Sequence, residues 1–292
     1  MAAMYDEYQA EIKVLESAPA SDRLLRINGA WQAYLSASGL GDFQAIWHCR
    51  DGEIIKERPG LEIRRLPLPA VADKAEPQVL FIKKHIQQGC LRHDSEGLKE
   101  FANYCDFRRR GLATAVPVAA GCAAAASGEI HSFLVTRDFA PFVDLEELVL
   151  NRPGLLAGPA NAGRKRNILG AVARYARAMH GAGCNQQDFN ATHVLLAGLD
   201  DARPRVALFD LQRVDSNPLR RLRWPVKALA ELFFSLPTGL FDEDDRRLLF
   251  AAYKDKKHLS WLDRLQYGWI KAKMARIARH TRKRNLAPKM RE

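Results

Sequence analysis

Apolar and polar positions alternate with two textures along the chain. Between Phe43 and Thr136 the apolar residues come in short runs rich in Ile, Leu and Val: Phe43–His48, Ile54–Glu57, Leu61–Leu68, Val79–Lys83, Val116–Ala120 and Ser132–Thr136. Asp51-Gly52 and Pro59-Gly60 punctuate the first of them, so the runs predict antiparallel strands joined by tight turns. One helix interrupts the series. After Asp94-Ser95, the residues Leu98, Phe101, Ala102 and Cys105 recur at i, i+3, i+4 and i+7, and Gly111 closes the pattern. Residues 1 to about 40 read as a polar, helical N-terminal cap ahead of the strands.

The second half inverts the proportion. Ile168, Leu169, Val172, Tyr175, Ala176 and Met179 mark an amphipathic helix that ends near His180-Gly181. A polar loop, Cys184–Asn190, leads into two short strands, His193–Ala197 and Arg205–Phe209, with a turn at Asp200-Asp201 between them. Helices follow over Val226–Leu236, Asp244–Tyr253 and Leu259 to about Arg284, with Pro225 and Asp242 as start signals. The expectation is an α+β chain in two lobes, a strand-rich 1–140 and a mainly helical 141–292.

Composition narrows the class. At 292 residues, with 47% hydrophobic and 27% charged, the chain can bury a core, which excludes disorder, collagen and a disulfide miniprotein. A membrane-crossing helix needs roughly 20 apolar residues; the best run, Ala113–Ala126, is shorter and broken by Pro117. Asp6, Glu7 and Glu11 precede any apolar run, unlike a signal peptide. The five cysteines are scattered with no C-x-x-C pair, which points to free thiols in a reducing compartment.

Charge adds a partner class. The net charge is +11, and residues 271–292 hold nine basic residues against one acidic, so the rest of the chain carries only +3. Trp261, Leu262, Leu265, Trp269, Ile270, Met274 and Ile277 lead into this segment at helical spacing. A basic amphipathic helix of that kind suits an anionic membrane surface. The competing reading is a closing core helix followed by a solvated tail. No zinc-finger, RNA-binding aromatic or helix-turn-helix pattern accompanies the charge, so no nucleic-acid partner is expected.

Four polar residues stand out by their order. Lys83 ends an apolar strand, Glu100 lies on the helix after it, Asp188 sits in the loop behind the long helix, and Asp210 ends the run Val206-Ala207-Leu208-Phe209. Each is ordinary alone: a strand-end Lys is usually solvated and a strand-end Asp is often a turn former. Strand Lys, helix Glu, loop Asp and strand-end Asp in that sequence is the chain order of a protein-kinase-like phosphotransferase. Lys neutralises nucleotide phosphates and is held by Glu; one Asp faces the acceptor hydroxyl and the other binds a metal ion.

Several stretches then match a known group. They are Phe81-Ile82-Lys83-Lys84-His85, Asn185 to Leu196 around Asp188, Phe209-Asp210-Leu211-Gln212-Arg213, and Arg223-Trp224 followed by Lys227, Leu229, Leu232 and Phe233-Phe234-Ser235. Together with the hairpin Ile54–Leu66 they resemble the lipopolysaccharide core heptose kinases of Gram-negative bacteria, over about Ile54 to Ile277. The resemblance implies a bilobal protein-kinase-like fold and use of ATP and Mg²⁺. It implies Lys83 and Glu100 at the nucleotide, Asp188 as catalytic carboxylate, and Asp210 with His193 at the metal. Arg213, after the metal aspartate, is placed to meet an acidic or phosphorylated sugar, with a solvated charge run as the competing reading. The resemblance also implies heptose of the lipopolysaccharide inner core as substrate, met at the cytoplasmic face of the inner membrane. The chain departs from the pattern at Gln186-Gln187, where the family usually has His-Arg, and Gly60 alone marks the hairpin turn. Two alternatives stay open: a degenerate kinase-like binding protein, and a kinase for Kdo, another sugar or a small molecule.

Overall fold

In the computed structural model, which describes residues 6–16, 23–88 and 94–283, the period-two segments of the first part build one antiparallel sheet. Its strands are β1 (Val14–Glu16), β2 (Arg23–Asn28), β3 (Glu53–Arg58), β4 (Leu61–Leu68), β5 (Gln78–Gln87), β6 (Pro117–Ala124) and β7 (Ile130–Arg137), in the order β1-β2-β6-β7-β5-β4-β3. Three helices accompany it: α1 (Gln32–Ala37), α2 (Phe43–His48) and α3 (Glu96–Arg109). The chain divides into two compact units, Met1–Phe139 and Ala140–Glu292.

Two sequence expectations fail here. The region expected as a helical cap supplies β1 and β2, and β2 pairs with β6 from Arg23↔Ala123 to Ile27↔Ala119. Leu25 and Ile27 are buried on alternate positions, a period of two that the surrounding polar residues obscure. Phe43–His48, expected as a strand, is helical. The Asp42 carboxylate accepts from the Ala45 amide at 2.9 Å, a side-chain N-cap, and Phe43 and Ile46 bury one helical face. A six-residue apolar run cannot by itself separate the two periods.

Buried Arg108 ties the first residues to this unit. Its guanidinium donates to the carbonyls of Glu7, Ala10, Thr114 and Ala115 and to Thr114 Oγ1. Helix α3 sits close on the sheet because residue 97 is glycine: a Cβ there would lie 2.3 Å from the Phe133 carbonyl oxygen. That seating positions Glu100 one turn further along α3.

The second unit contains β8 (Val143–Asp144), β9 (Asn185–Gln186), β10 (Val194–Ala197), β11 (Arg205–Leu208) and β12 (Val214–Asp215). They form a three-stranded sheet, β11-β10-β8, and a two-stranded pair, β12-β9. Around them lie α4 (Leu145–Asn151), α5 (Ala162–Gly181), α6 (Trp224–Ser235), α7 (Glu243–Lys254) and α8 (Trp261–Lys283). Helix α5 packs on α7, and α6 on α8. Asp242 and Asp245 start α7 with a reciprocal capping box.

Helix α8 corrects the single apolar face expected for it. Asp263, Tyr267 and Ile270 are buried, whereas Trp261, Leu262, Leu265 and Trp269 are 69%, 59%, 63% and 53% exposed. The apolar positions thus divide between a packed face and an open one. The basic stretch after Lys283 lies outside the described residues. Among the described residues no helix is long and apolar enough to cross a membrane.

Candidate active site

Strand alternation decides what β5 presents. Lys83 and Lys84 are neighbours and therefore project from opposite faces of the sheet. On Lys83's face, its Nζ lies 3.0 Å from Glu100 Oε2, with the lysine side chain 16% and the glutamate side chain 2% exposed. Tyr104 Oη, one turn along α3, is 3.5 Å from the other carboxylate oxygen. A carboxylate this buried needs a cation or hydrogen bonds to remain charged, so Glu100 fixes an ammonium at the middle of β5. His85, on the same face, places Nδ1 2.9 Å from Glu96 Oε2. The β3–β4 turn passes through Gly60 at φ +76°, in the left-handed region where glycine is favoured.

In the second unit, pairing of β9 with β12 sets Gln186 opposite Val214 and Asn185 opposite Asp215. This brings together the loop carrying Asp188 and the one following Asp210. The Gln187 amide donates to the Arg213 carbonyl at 2.8 Å. Gln186 is fully buried and its Nε2 donates to the Phe209 and Asp210 carbonyls, both at 3.0 Å. Asp210 itself has φ +55°, a conformation that Asp tolerates better than most residues and that turns the chain directly after β11.

His193 links the Asp188 backbone to the Asp210 carboxylate. Its Nδ1 is 2.8 Å from the Asp188 carbonyl and its Nε2 is 3.6 Å from Asp210 Oδ2. A carbonyl only accepts, so Nδ1 carries the hydrogen, and in the neutral ring the Nε2 lone pair faces the Asp210 carboxylate. Two electron-pair donors directed at one place fit a divalent cation. Mg²⁺ characteristically takes one or two carboxylates and completes its shell with phosphate oxygens and water. The Asp210 oxygen suits that role, and the imidazole nitrogen is a softer second donor.

The Asp188 carboxylate is engaged by Arg213, whose Nη1 lies 2.8 Å from Oδ1 and 3.2 Å from Oδ2. Lys227 of α6 donates to Gln187 Oε1 at 3.0 Å. Burial, followed by the Arg213 charge, holds the Lys227 ammonium below its usual pKa, and burial pushes the carboxyl of Glu231, one turn on, up. The site residues expected from the sequence thus fall into two groups: Lys83 with Glu100 in the first unit, and Asp188, His193, Asp210 and Arg213 in the second. Sequence reasoning missed Gln186 and Lys227 as parts of the site. Gln186 was legible only as a departure from a pattern. Lys227 was legible as a lysine one turn before Glu231 in a helix otherwise rich in apolar residues.

The family described as lipopolysaccharide kinase (Kdo/WaaP) matches residues 85–253, a stretch that includes Glu100, Asp188, His193, Asp210 and Arg213. The lipopolysaccharide core heptose(I) kinase WaaP of Pseudomonas aeruginosa is 35% identical over 150 residues, 49% of this chain and 54% of the relative. The protein of the same description from Escherichia coli K12 is 29% identical over 162 residues, 53% of this chain and 59% of the relative. The chain therefore matches little more than half the length of these curated relatives. A solved structure of WaaP in complex with acyl carrier protein superposes with a TM-score of 0.61 at 25% identity, covering 83% of this chain and 95% of that one. The bilobal, protein-kinase-like fold expected from the resemblance is shared with it.

Proposed function

The chain belongs to the lipopolysaccharide kinase (Kdo/WaaP) family, and on that premise we propose that it transfers the γ-phosphoryl group of ATP to a hydroxyl of heptose in the lipopolysaccharide inner core. The observation that carries this reading is the His193 bridge, which ties the Asp188 loop to Asp210 by contacts of 2.8 and 3.6 Å. A loop carboxylate and a strand-end carboxylate held in one rigid constellation serve phosphoryl transfer, where positioning and charge neutralisation do most of the catalysis.

In this reading Lys83, fixed by Glu100, contacts nucleotide phosphates. Asp188 orients the acceptor hydroxyl and takes its proton as the new O–P bond forms and the bond from the γ-phosphorus to the β,γ-bridging oxygen breaks. Asp210, with His193, would hold Mg²⁺, which when bound neutralises charge on the phosphates. Arg213 holds the Asp188 carboxylate in place, and an anionic acceptor would compete with that carboxylate for its guanidinium. Gln186 and Gln187 do not leave the loop unsupported. Gln186 fastens it to the Asp210 backbone, and Gln187 accepts from Lys227. These bonds weigh against a degenerate, binding-only protein.

The acceptor glycolipid is anchored in a bilayer, and we propose that the exposed side of α8 meets that surface. Trp261, Leu262, Leu265 and Trp269 stand open to solvent beside Arg264, Lys271 and Arg276. Tryptophan and basic residues on one helix suit an anionic interface.

The reading is tested with γ-labelled ATP, Mg²⁺ and dephosphorylated core lipopolysaccharide, with product identified by mass spectrometry. One phosphate on a heptose is expected. Asp188→Ala should lower turnover by two or more orders of magnitude yet keep nucleotide affinity, whereas Asp210→Ala should lose metal-dependent nucleotide binding. A wild type that binds ATP but phosphorylates no core glycolipid would overturn the assignment.

A further inference from the structure

The other face of the first unit's sheet carries a separate feature. A cavity of about 460 Å³ opens there between α2, the β3–β4 hairpin and the end of β5, with Trp47, Arg50, Arg58, Glu62, Lys84 and Ile86 in its wall. Lys84 follows Lys83 in β5 and so projects away from the Glu100 side. None of the catalytic candidates lines this cavity.

Its wall holds three cations, Lys84, Arg50 and Arg58, against two carboxylates, Glu57 and Glu62. Lys84 and Arg64 are each 5% exposed. Both lean on the same carboxylate, Glu62, at 3.2 and 3.3 Å, and Arg50 reaches it as well at 3.5 Å. Two buried cations, Lys84 and Arg64, thus share one carboxylate with the exposed Arg50. Arg64 is occupied by the carbonyls of Arg50 and Gly52. Lys84 donates to the Cys49 carbonyl at 2.8 Å and pairs with Glu62, which commits two of its three hydrogens. Burying cations in excess of their counter-charge is costly unless an anion joins them. Apolar surface from Trp47, Leu61 and Ile86 completes the wall beside these charges.

We propose that this cavity is a second ligand site, one that takes a small organic phosphate with an apolar or aromatic body. The phosphate is met by Lys84, Arg50 and Arg58, and the body lies against Trp47 and Ile86. Charged groups that fix one end and an apolar wall that covers the rest are the usual make-up of a small-molecule pocket. The site is distinct from the nucleotide position proposed above, because Lys83 stands on the opposite side of the same strand.

Titration calorimetry of the full chain with 1-naphthyl phosphate tests this. Arg50 and Arg58 are solvent-exposed, so Arg50→Ala/Arg58→Ala should keep the fold, which circular dichroism verifies. The expected result is saturable one-site binding to the wild type, weakened at least tenfold in the double variant and changed by less than twofold in Lys83→Met. Absence of binding to the wild type, or equal affinity in the arginine variant, would overturn the proposal. A loss confined to Lys83→Met would overturn it too, by placing the probe at the nucleotide position.

Discussion

Acid should destabilise the second unit through one histidine. His180, near the end of α5, is buried, with Nε2 2.9 Å from Asn185 Oδ1 and Nδ1 2.9 Å from Tyr253 Oη. The amide oxygen only accepts, so Nε2 carries the hydrogen and Nδ1 accepts from the phenol, which is the arrangement of a neutral ring. Burial drives the pKa from 6.5 down to about 4. The folded state therefore resists a proton that the unfolded chain accepts below pH 6.5. Stability from this group is complete above 6.5 and is lost as pH falls from there to about 4. The slope is ~1.4 kcal/mol per pH unit, about 3 kcal/mol over the window. Urea unfolding of the wild type and of His180→Gln, from about pH 7.5 to 4, isolates it, because carboxylates common to both cancel in the difference. Glutamine can donate to Asn185 and accept from Tyr253 without titrating. The wild type should lose about 3 kcal/mol relative to the variant across that range. A difference that stays constant with pH would refute the reasoning, since His180 would then titrate alike in both states.

Other expectations concern the two units separately. Lys83→Met should abolish turnover and also cost about 3 kcal/mol in thermal or urea unfolding, because it takes the cation from a buried carboxylate; Lys83→Met/Glu100→Gln should regain most of the stability and none of the activity. Gly97→Ala should destabilise by about 2 kcal/mol or more, as the new Cβ would lie 2.3 Å from the Phe133 oxygen and must push α3 off the sheet. Trp261→Ser/Trp269→Ser should lower binding to vesicles containing anionic lipid, with nucleotide affinity unchanged in calorimetry. Binding by the wild type should fall as salt rises, and equal vesicle binding by the variant would rule out α8 as the contact.

The legible parts of this protein are those whose period is long or whose chemistry is ordered along the chain. The face Ile168 to Met179 spans three turns, and α5 runs over Ala162–Gly181 as a result. The Lys83–Glu100 pair was readable from the order of a strand lysine and a helix glutamate 17 residues on, although Lys83 stands in the middle of β5 and not, as expected, at a strand end. Short segments were not readable. Asp42, an N-cap rather than a turn former, decides the helix at Phe43–His48, and only the bond to the Ala45 amide reveals it. Strand β2 hides its alternation because Arg26 stands on the face opposite Leu25 and Ile27 and Arg23, at the exposed start of the strand, begins their own face with a charge. The division of α8 into two faces was hidden for a different reason. Periodicity finds apolar positions, but whether a neighbour covers each one depends on where α6 and α7 lie.

The close seating of α3 bears on how such an enzyme could be controlled. In many kinases the helix carrying the glutamate swings, and the lysine–glutamate pair is made or broken as a switch. Here Gly97 brings the α3 backbone against β7, the Glu96 amide is held by the Gln87 side chain, and Arg108 at the far end donates to the carbonyls of four other residues. Swinging this helix outward would open a dry backbone contact and strand a guanidinium at once. The glutamate is in effect a permanent fixture, so under the proposed function output would follow supply and encounter of the substrates rather than movement of this helix.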